Sequence, residues 1–226
     1  VTATSYAGDG SGLTGVAGTE NIRTNTNATF LQNVNVSVAI TAGKLGIGFT
    51  DTNIKVGSTA LDSLTTGIQN TAVGSNALTA TTTGVQNTAV GADALGSNTT
   101  GEDNTAVGYL SMYTNSTGQR NTAMGRDALR LNTTGSYNTT VGHNSLENNT
   151  TASSNTALGY EALKANTTGT ENVAVGANAL DANTTASSNT AVGNAALGSN
   201  TTASNNTAIG QAALFANTTG TGNVAV

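Results

Sequence analysis

Cysteine is absent from this 226-residue chain, so disulfides and thiolate metal sites are excluded and the redox compartment is left unmarked. Charge and aromatic side chains are scarce, at 8% and 4% of residues, too little of either for an ordinary globular core and surface. The seven Lys and Arg are scattered and the formal net charge is −5, which argues against nucleic-acid binding, since that use calls for a basic stripe. No apolar run approaches the ~20 residues that span a bilayer, and no signal peptide opens the sequence, so membrane insertion is not expected. There is one histidine, His143. A catalytic site needs at least two groups held together in a sheltered cleft. The sequence offers scattered carboxylates instead, and an enzyme is not expected.

What the chain has in abundance is one phrase. From Asn53 to Val226 a 17-residue unit recurs without insertion or deletion, beginning at Asn53, Asn70, Asn87 and so on to Asn223, with ten complete copies and the start of an eleventh. Most copies read Asn-Thr-Ala-Val-Gly, two variable residues, Ala-Leu, two more, Asn-Thr-Thr-Gly and a variable pair, as in Asn87 to Asp103. A period this strict, too short for paired helices and poor in helix formers, predicts a solenoid in which each repeat is one coil stacked on the last. The expected fold class is therefore all-β, a parallel β-solenoid or β-roll over residues 53–226, preceded by a small β-rich module over residues 1–52. Because the sequence stops within a repeat, it is expected to be a piece of a longer protein.

The N-terminal module lacks the period. Ala7 to Gly15 is rich in turn formers, with Asp9-Gly10 suited to a tight turn. Thr29 to Ile40 alternates Phe30, Val34, Val36, Val38 and Ile40, a strand buried on one face, and Lys44 to Phe49 reads as another. The Gly-rich stretch has no Lys or following helix for a phosphate-binding loop, so no nucleotide site or other cofactor is assigned.

Counting the leading Asn as place one, each column down the stack can be judged by what it tolerates. Places two and four carry Thr, Val, Ile, Leu or Met and read as the side of a strand that faces into the coil. Place three, Ala in most copies, and place five, always Gly, then form a small outer face that another chain could cover closely. Place nine, Leu in nine copies and Met112 in the tenth, predicts a second strand. On this reading Val141 lies inside, Gly142 lies against an outer contact and His143 is in solvent. Places twelve to fifteen are polar yet nearly fixed, as expected of hydrogen-bonded side-chain ladders rather than glycosylation acceptors. Calcium-binding solenoids need closely spaced Asp in Gly-rich turns, and these turns offer Thr and Ala, so no metal is expected.

From Asn70 onward every charged or aromatic residue falls at places six, seven, ten, sixteen or seventeen, the expected solvent face. Down place ten, Arg130, Glu147, Lys164 and Asp181 alternate in sign, and Asp103 precedes Arg120 at place seventeen, which suits a parallel stack. Place six carries Tyr109, Arg126, His143 and Tyr160 on consecutive coils, with Tyr113 and Arg130 at place ten. Exposed aromatics beside Arg and His can stack on sugars and hydrogen-bond their hydroxyls, which makes these six residues a candidate glycan-binding surface. A solvated ladder of tolerated residues is the alternative.

The Asn-Thr-Ala-Val-Gly-x-x-Ala-Leu-x-x-Asn-Thr-Thr-Gly array resembles those of tail-fibre and fibre-like proteins of tailed bacteriophages, and Gly8 to Val16 resembles a segment that recurs in such fibres. The repeat is more distantly similar to the head domains of trimeric autotransporter adhesins, trimers of parallel β-rolls with a shorter coil. Together these resemblances cover nearly the whole chain. They imply a homotrimeric fibre, extracellular, on a virion or cell surface, with a host glycan or receptor as partner. A bacterial surface adhesin or filament is the alternative, distinguished by an anchoring barrel where a phage fibre carries a self-cleaving chaperone. An ice-binding solenoid is a further alternative, weakened because the adjacent Thr pair at places thirteen and fourteen points to opposite faces.

Overall fold

The computed structural model describes residues 52–226, so the strands expected at Thr29 to Ile40 and Lys44 to Phe49 lie outside the described residues. The repeat region is a parallel β-solenoid. Eleven short strands, β1 (Ile54–Val56) to β11 (Val224–Ala225), lie in one sheet in strict sequence order. Each residue pairs with the residue one repeat further on, as Thr88 with Thr105, Ala89 with Ala106 and Val90 with Val107. At the spacing of neighbouring strands, ten coils make a stack about 50 Å long.

Each coil has one regular strand, at places two to four, and the expected second strand at place nine is not formed. The strand ends at the place-five glycine, whose φ lies near +138°, as at Gly91 and Gly142. Places seven and nine then adopt left-handed backbone, as do Asp93 (φ 58°) and Leu95 (φ 51°), so the chain winds through turns along the opposite wall. Backbone pairing continues there between coils: the Leu95 N–H donates to the Ser111 carbonyl (3.0 Å) and the Ser97 N–H to the Tyr113 carbonyl (2.9 Å). The wall meets the general demand that buried backbone groups be paired without becoming a sheet.

The sense of the strand is opposite to the one the column pattern suggested. Place three is the inside: Ala72, Ala89, Ala106 and their equivalents are fully buried, and they pack with place-eight Ala and place-nine Leu in a single continuous core. Places two and four point out. Val90, Met124, Leu158 and Ile209 at place four are all exposed, and Val141 is half-buried on the same outer side. The reason is volume. The coil is thin and its interior is already filled by one Leu or Met per layer, so across from it the close-packed interior takes a methyl group, or in one coil the buried Thr140, and no larger aliphatic side chain. The expected meeting of one Leu with one Val per layer is replaced by Leu against Ala.

The glycine column is also small for a different reason than an outer contact between chains. A Cβ on Gly142 would collide with the backbone of Gly159 in the next coil, and the positive φ there already disfavours any side chain. The constraint is coil against coil.

Two buried asparagine ladders close the corner between one coil and the next. At place one, the Asn104 N–H finds no carbonyl and donates instead to Asn87 Oδ1 (3.1 Å), while Asn87 Nδ2 donates to the Gly101 carbonyl (2.8 Å). At place twelve, Asn98 Nδ2 donates to that same Gly101 carbonyl (3.1 Å), and Asn115 Nδ2 donates to Asn98 Oδ1 (2.9 Å). Two amide columns thus converge on the place-fifteen carbonyl of each coil. From Asn98 to Asn200 the Asn-x-Ser/Thr matches at place twelve are fully buried in this ladder and present no free amide for glycosylation. At place thirteen the hydroxyls form a third column, with Thr99 Oγ1 donating to the Ser116 carbonyl (3.0 Å).

Candidate functional site

Two surfaces of the solenoid carry features that its folding does not require. The first is the outer side of the sheet. Places two and four of the repeats hold Thr, Val, Ile, Leu or Met and never a charge, so the in-register sheet presents an outward strip of two columns, Thr-rich and aliphatic. A contiguous exposed apolar strip is uncommon on soluble chains and marks an interaction surface more often than not. Sequence reasoning missed it because alternation along a strand separates two faces without saying which is inside. The signal was the side-chain volume of place three: where one wall carries Leu, the methyl-sized column opposite belongs to the interior.

The second surface comprises places six, seven and ten. The register of one repeat per coil sets place-six residues directly above one another, so Tyr109, Arg126, His143 and Tyr160 form one column. The Arg126 guanidinium lies over the Tyr109 ring, 5.8 Å from its centroid. The His143 and Tyr160 rings are parallel within 5°, with centroids 5.7 Å apart. Tyr109 and Tyr160 remain about half exposed, at 48% and 52%.

Place seven ties places six and ten together. Asp127 is buried rather than solvent-facing as its column suggested, and it accepts from Arg126 Nε (3.0 Å) while facing Arg130 Nε (3.8 Å). Arg130 also reaches Glu147 one coil on (3.2 Å), as the alternating column predicts. The next step differs: Lys164 turns back to Glu161 of its own coil (2.8 Å) instead of continuing along place ten. That Lys164 ammonium, joined by hydrogen bonds from Tyr160 and Asn144 and opposed by desolvation, holds the Glu161 carboxyl below its ordinary range. Asp181, left without a salt bridge, is raised by burial, against hydrogen bonds from backbone N–H groups.

Of the six candidate residues, the structure brings Tyr109 against Arg126 and His143 against Tyr160. Arg130 is taken up by its two carboxylates. Tyr113 leans back over Gly96, where a Cβ would touch its ring, and Phe215 does the same over Gly198. A further pair escaped sequence reasoning: at place seventeen, beside the expected Arg120–Asp103 contact (3.5 Å), the Arg120 guanidinium also lies over Tyr137, 5.6 Å from its centroid.

Among the described residues no helix is long and apolar enough to cross a membrane, and no group of three or more His, Asp or Glu is placed to hold a metal ion. Comparison with family models, curated proteins and solved structures found no match.

Proposed function

We propose that this chain is the shaft of an extracellular fibre of the phage tail-fibre type, a structural protein that holds an attachment function away from the particle and assembles as a homotrimer. The observation that carries the reading is the outward face of the sheet. A charge-free strip with Val90, Met124, Leu158 and Ile209 exposed runs the length of the stack, while every charge from Asn70 onward lies elsewhere. Burying one large aliphatic side chain is worth about 1.5–3 kcal/mol, and the strip repeats that gain in every coil. Copies of the same chain in register match it coil for coil, as closed symmetric assemblies require. The number three comes from the resemblance to trimeric adhesin heads. Native mass measurement tests the reading, with a trimer expected. Val141→Asp and Leu158→Asp together should release folded protomers, because a carboxylate on this face is tolerated in water and costly in a dry interface. A folded monomer in the unmodified chain would overturn the proposal.

The same strip favours a second reading, an ice-binding solenoid. The Thr pair at places thirteen and fourteen is not the relevant surface; Thr at place two and Val at place four both point outward in a regular array. Thermal hysteresis in a monomeric preparation would support ice binding. A trimer without hysteresis supports the fibre.

A further inference from the structure

We propose that the place-six column from Tyr109 to Tyr160 is a binding site for a neutral saccharide. The fold does not ask for these residues: the same place is Ser58, Ser75 and Ala92 before the column and Ala177, Asn194 and Gln211 after it, and those coils close in the same way. Four consecutive planar side chains therefore stand on a surface where Ser or Ala suffices.

Their arrangement suits a flat, partly apolar ligand. The column is stacked in two pairs, Arg126 on Tyr109 and His143 on Tyr160, so the planar groups are held in place before a ligand arrives. Each end of the column is followed by a methyl group, Ala92 beyond Tyr109 and Ala177 beyond Tyr160. A coil is ~4.8 Å thick. The step from tyrosine to alanine thus leaves room of about one coil beside each half-exposed tyrosine, close to the thickness of a pyranose stacked on an aromatic face. Tyrosine offers such a ring together with a polar tip for hydroxyls. At the Tyr160 end the far side of the step is closed by Asn194, whose Nδ2 donates to the Ala177 carbonyl (3.2 Å) while its Oδ1 has no partner among the described residues. At the other end Arg126, one coil on, covers the face of Tyr109 that is turned away from Ala92.

The charge pattern sets the class of sugar. Arg126 is matched by Asp127 (3.0 Å), Arg130 by Glu147 (3.2 Å) and Lys164 by Glu161 (2.8 Å). No uncompensated cation remains to favour a carboxylate, sulfate or phosphate group on the ligand, so the site selects neutral rings. The column uses place six, two residues beyond the outward place-four column, and none of the place-two or place-four residues that carry the fibre proposal.

Saturation-transfer NMR on the full chain, with methyl glycosides of glucose, galactose and N-acetylglucosamine as neutral probes and N-acetylneuraminic acid as the acidic one, is the direct experiment. Transfer to at least one neutral probe at millimolar concentration is expected, with weaker transfer to the acid. Tyr109→Ala with Tyr160→Ala should weaken binding by about tenfold or more, 1.4 kcal/mol or above. Circular dichroism should stay unchanged in that variant, and Tyr137→Ala should bind as the parent does. Absence of transfer to every neutral probe, equal or stronger transfer to the acid, or binding that survives the double substitution would each overturn the site. Native mass on the same samples reads the fibre proposal separately.

Discussion

Ala157 and Leu158 are neighbours in one three-residue strand and lie on opposite sides of the solenoid wall, Ala157 at 1% exposure and Leu158 at 46%. The larger, more apolar residue is the one outside. Its methyl-sized neighbour packs in one core with the place-nine leucines, and the place takes nothing larger than the buried Thr140 of the preceding coil. Ala157→Leu should therefore destabilise the protein by about 1–3 kcal/mol, the usual range for overpacking. Leu158→Ala should leave the single chain within about 0.5 kcal/mol of the parent. Denaturant unfolding of the two variants, each in a Met124→Asp, Val141→Asp background that holds the protomers apart, checks the assignment, and the reverse order would restore the inside-out alternative.

Gly142→Val is expected to be more severe than either. The new Cβ would meet the Gly159 backbone, and φ near +138° is a conformation that β-branched residues do not adopt. A loss above 4 kcal/mol would be in keeping with such a double fault, about the upper limit of single substitutions. His143→Ala, one residue on at the half-exposed place six, should change stability by less than about 1 kcal/mol, most of it the stacking with Tyr160. Thermal melting of both variants gives the comparison.

The fold was legible in the sequence because the repeat itself states the architecture: an indel-free period fixes coil, register and parallel sheet at once. The polar ladders were legible too, since Asn98, Asn115 and Asn132 recur where a loop would vary. What the sequence pattern left open was polarity across the wall. Thr-Ala-Val alternates with period two whichever side is inside, and the usual preference for large apolar residues indoors pointed the wrong way. The role of the leading Asn was hidden by its use as a landmark; a polar residue kept in all eleven copies is better read as a substitute for a missing backbone acceptor. Of the candidate saccharide residues, the place-six column was visible as soon as the period was known. Asp127 was not, because a carboxylate between two arginines can be drawn inward from a column that elsewhere carries exposed groups.

Leu129 illustrates a constraint that composition alone conceals. It is fully buried, and its φ of 53° lies in the left-handed region, as does that of every place-nine residue. Branching at Cβ is poorly tolerated there, which accounts for Leu and Met112 and the absence of Val and Ile in that column. Leu129→Met should cost less than about 1.5 kcal/mol. Leu129→Ile, equal in volume to the native residue, should cost more than Leu129→Met, with backbone strain of order 1–3 kcal/mol added. Equal losses in chemical denaturation would show that packing, not backbone conformation, sets the column.

Asn138 holds both its own coil and the next. Its Oδ1 accepts from the Asn155 N–H (3.0 Å), and its Nδ2 donates to the Ala152 carbonyl (2.9 Å). Asn138→Ala leaves a buried donor and a buried acceptor short of partners, about 1–3 kcal/mol each. Asn138→Asp keeps the acceptor, loses the donor and adds an unpaired buried charge, so it should melt below Asn138→Ala at pH 7. At pH 4 the carboxyl of the Asp variant protonates and regains a donor, and the order of melting temperatures should reverse. Failure to reverse would separate the defect from charge.

Asp181 gives the opposite dependence to an ordinary salt-bridged carboxylate. Burial raises it above its ordinary value, chiefly by desolvation, so the folded protein holds that proton more tightly than the unfolded chain does. The sign follows from linkage: a carboxyl raised on folding contributes no penalty at pH values below its unfolded range, and a destabilising term grows as pH rises through the unfolded and then the folded titration. Glu161, lowered chiefly by Lys164, behaves in the other sense and loses its contribution as pH falls. Asp181→Asn should therefore raise the melting temperature at pH 7 and give little or no gain at pH 3, where both carboxyl forms are protonated. Glu161→Gln should lower it at pH 7, with the loss fading towards pH 3. Melting curves of the two variants and the parent across that interval check both signs, and parallel shifts at every pH would mean that the carboxylate charges play no part.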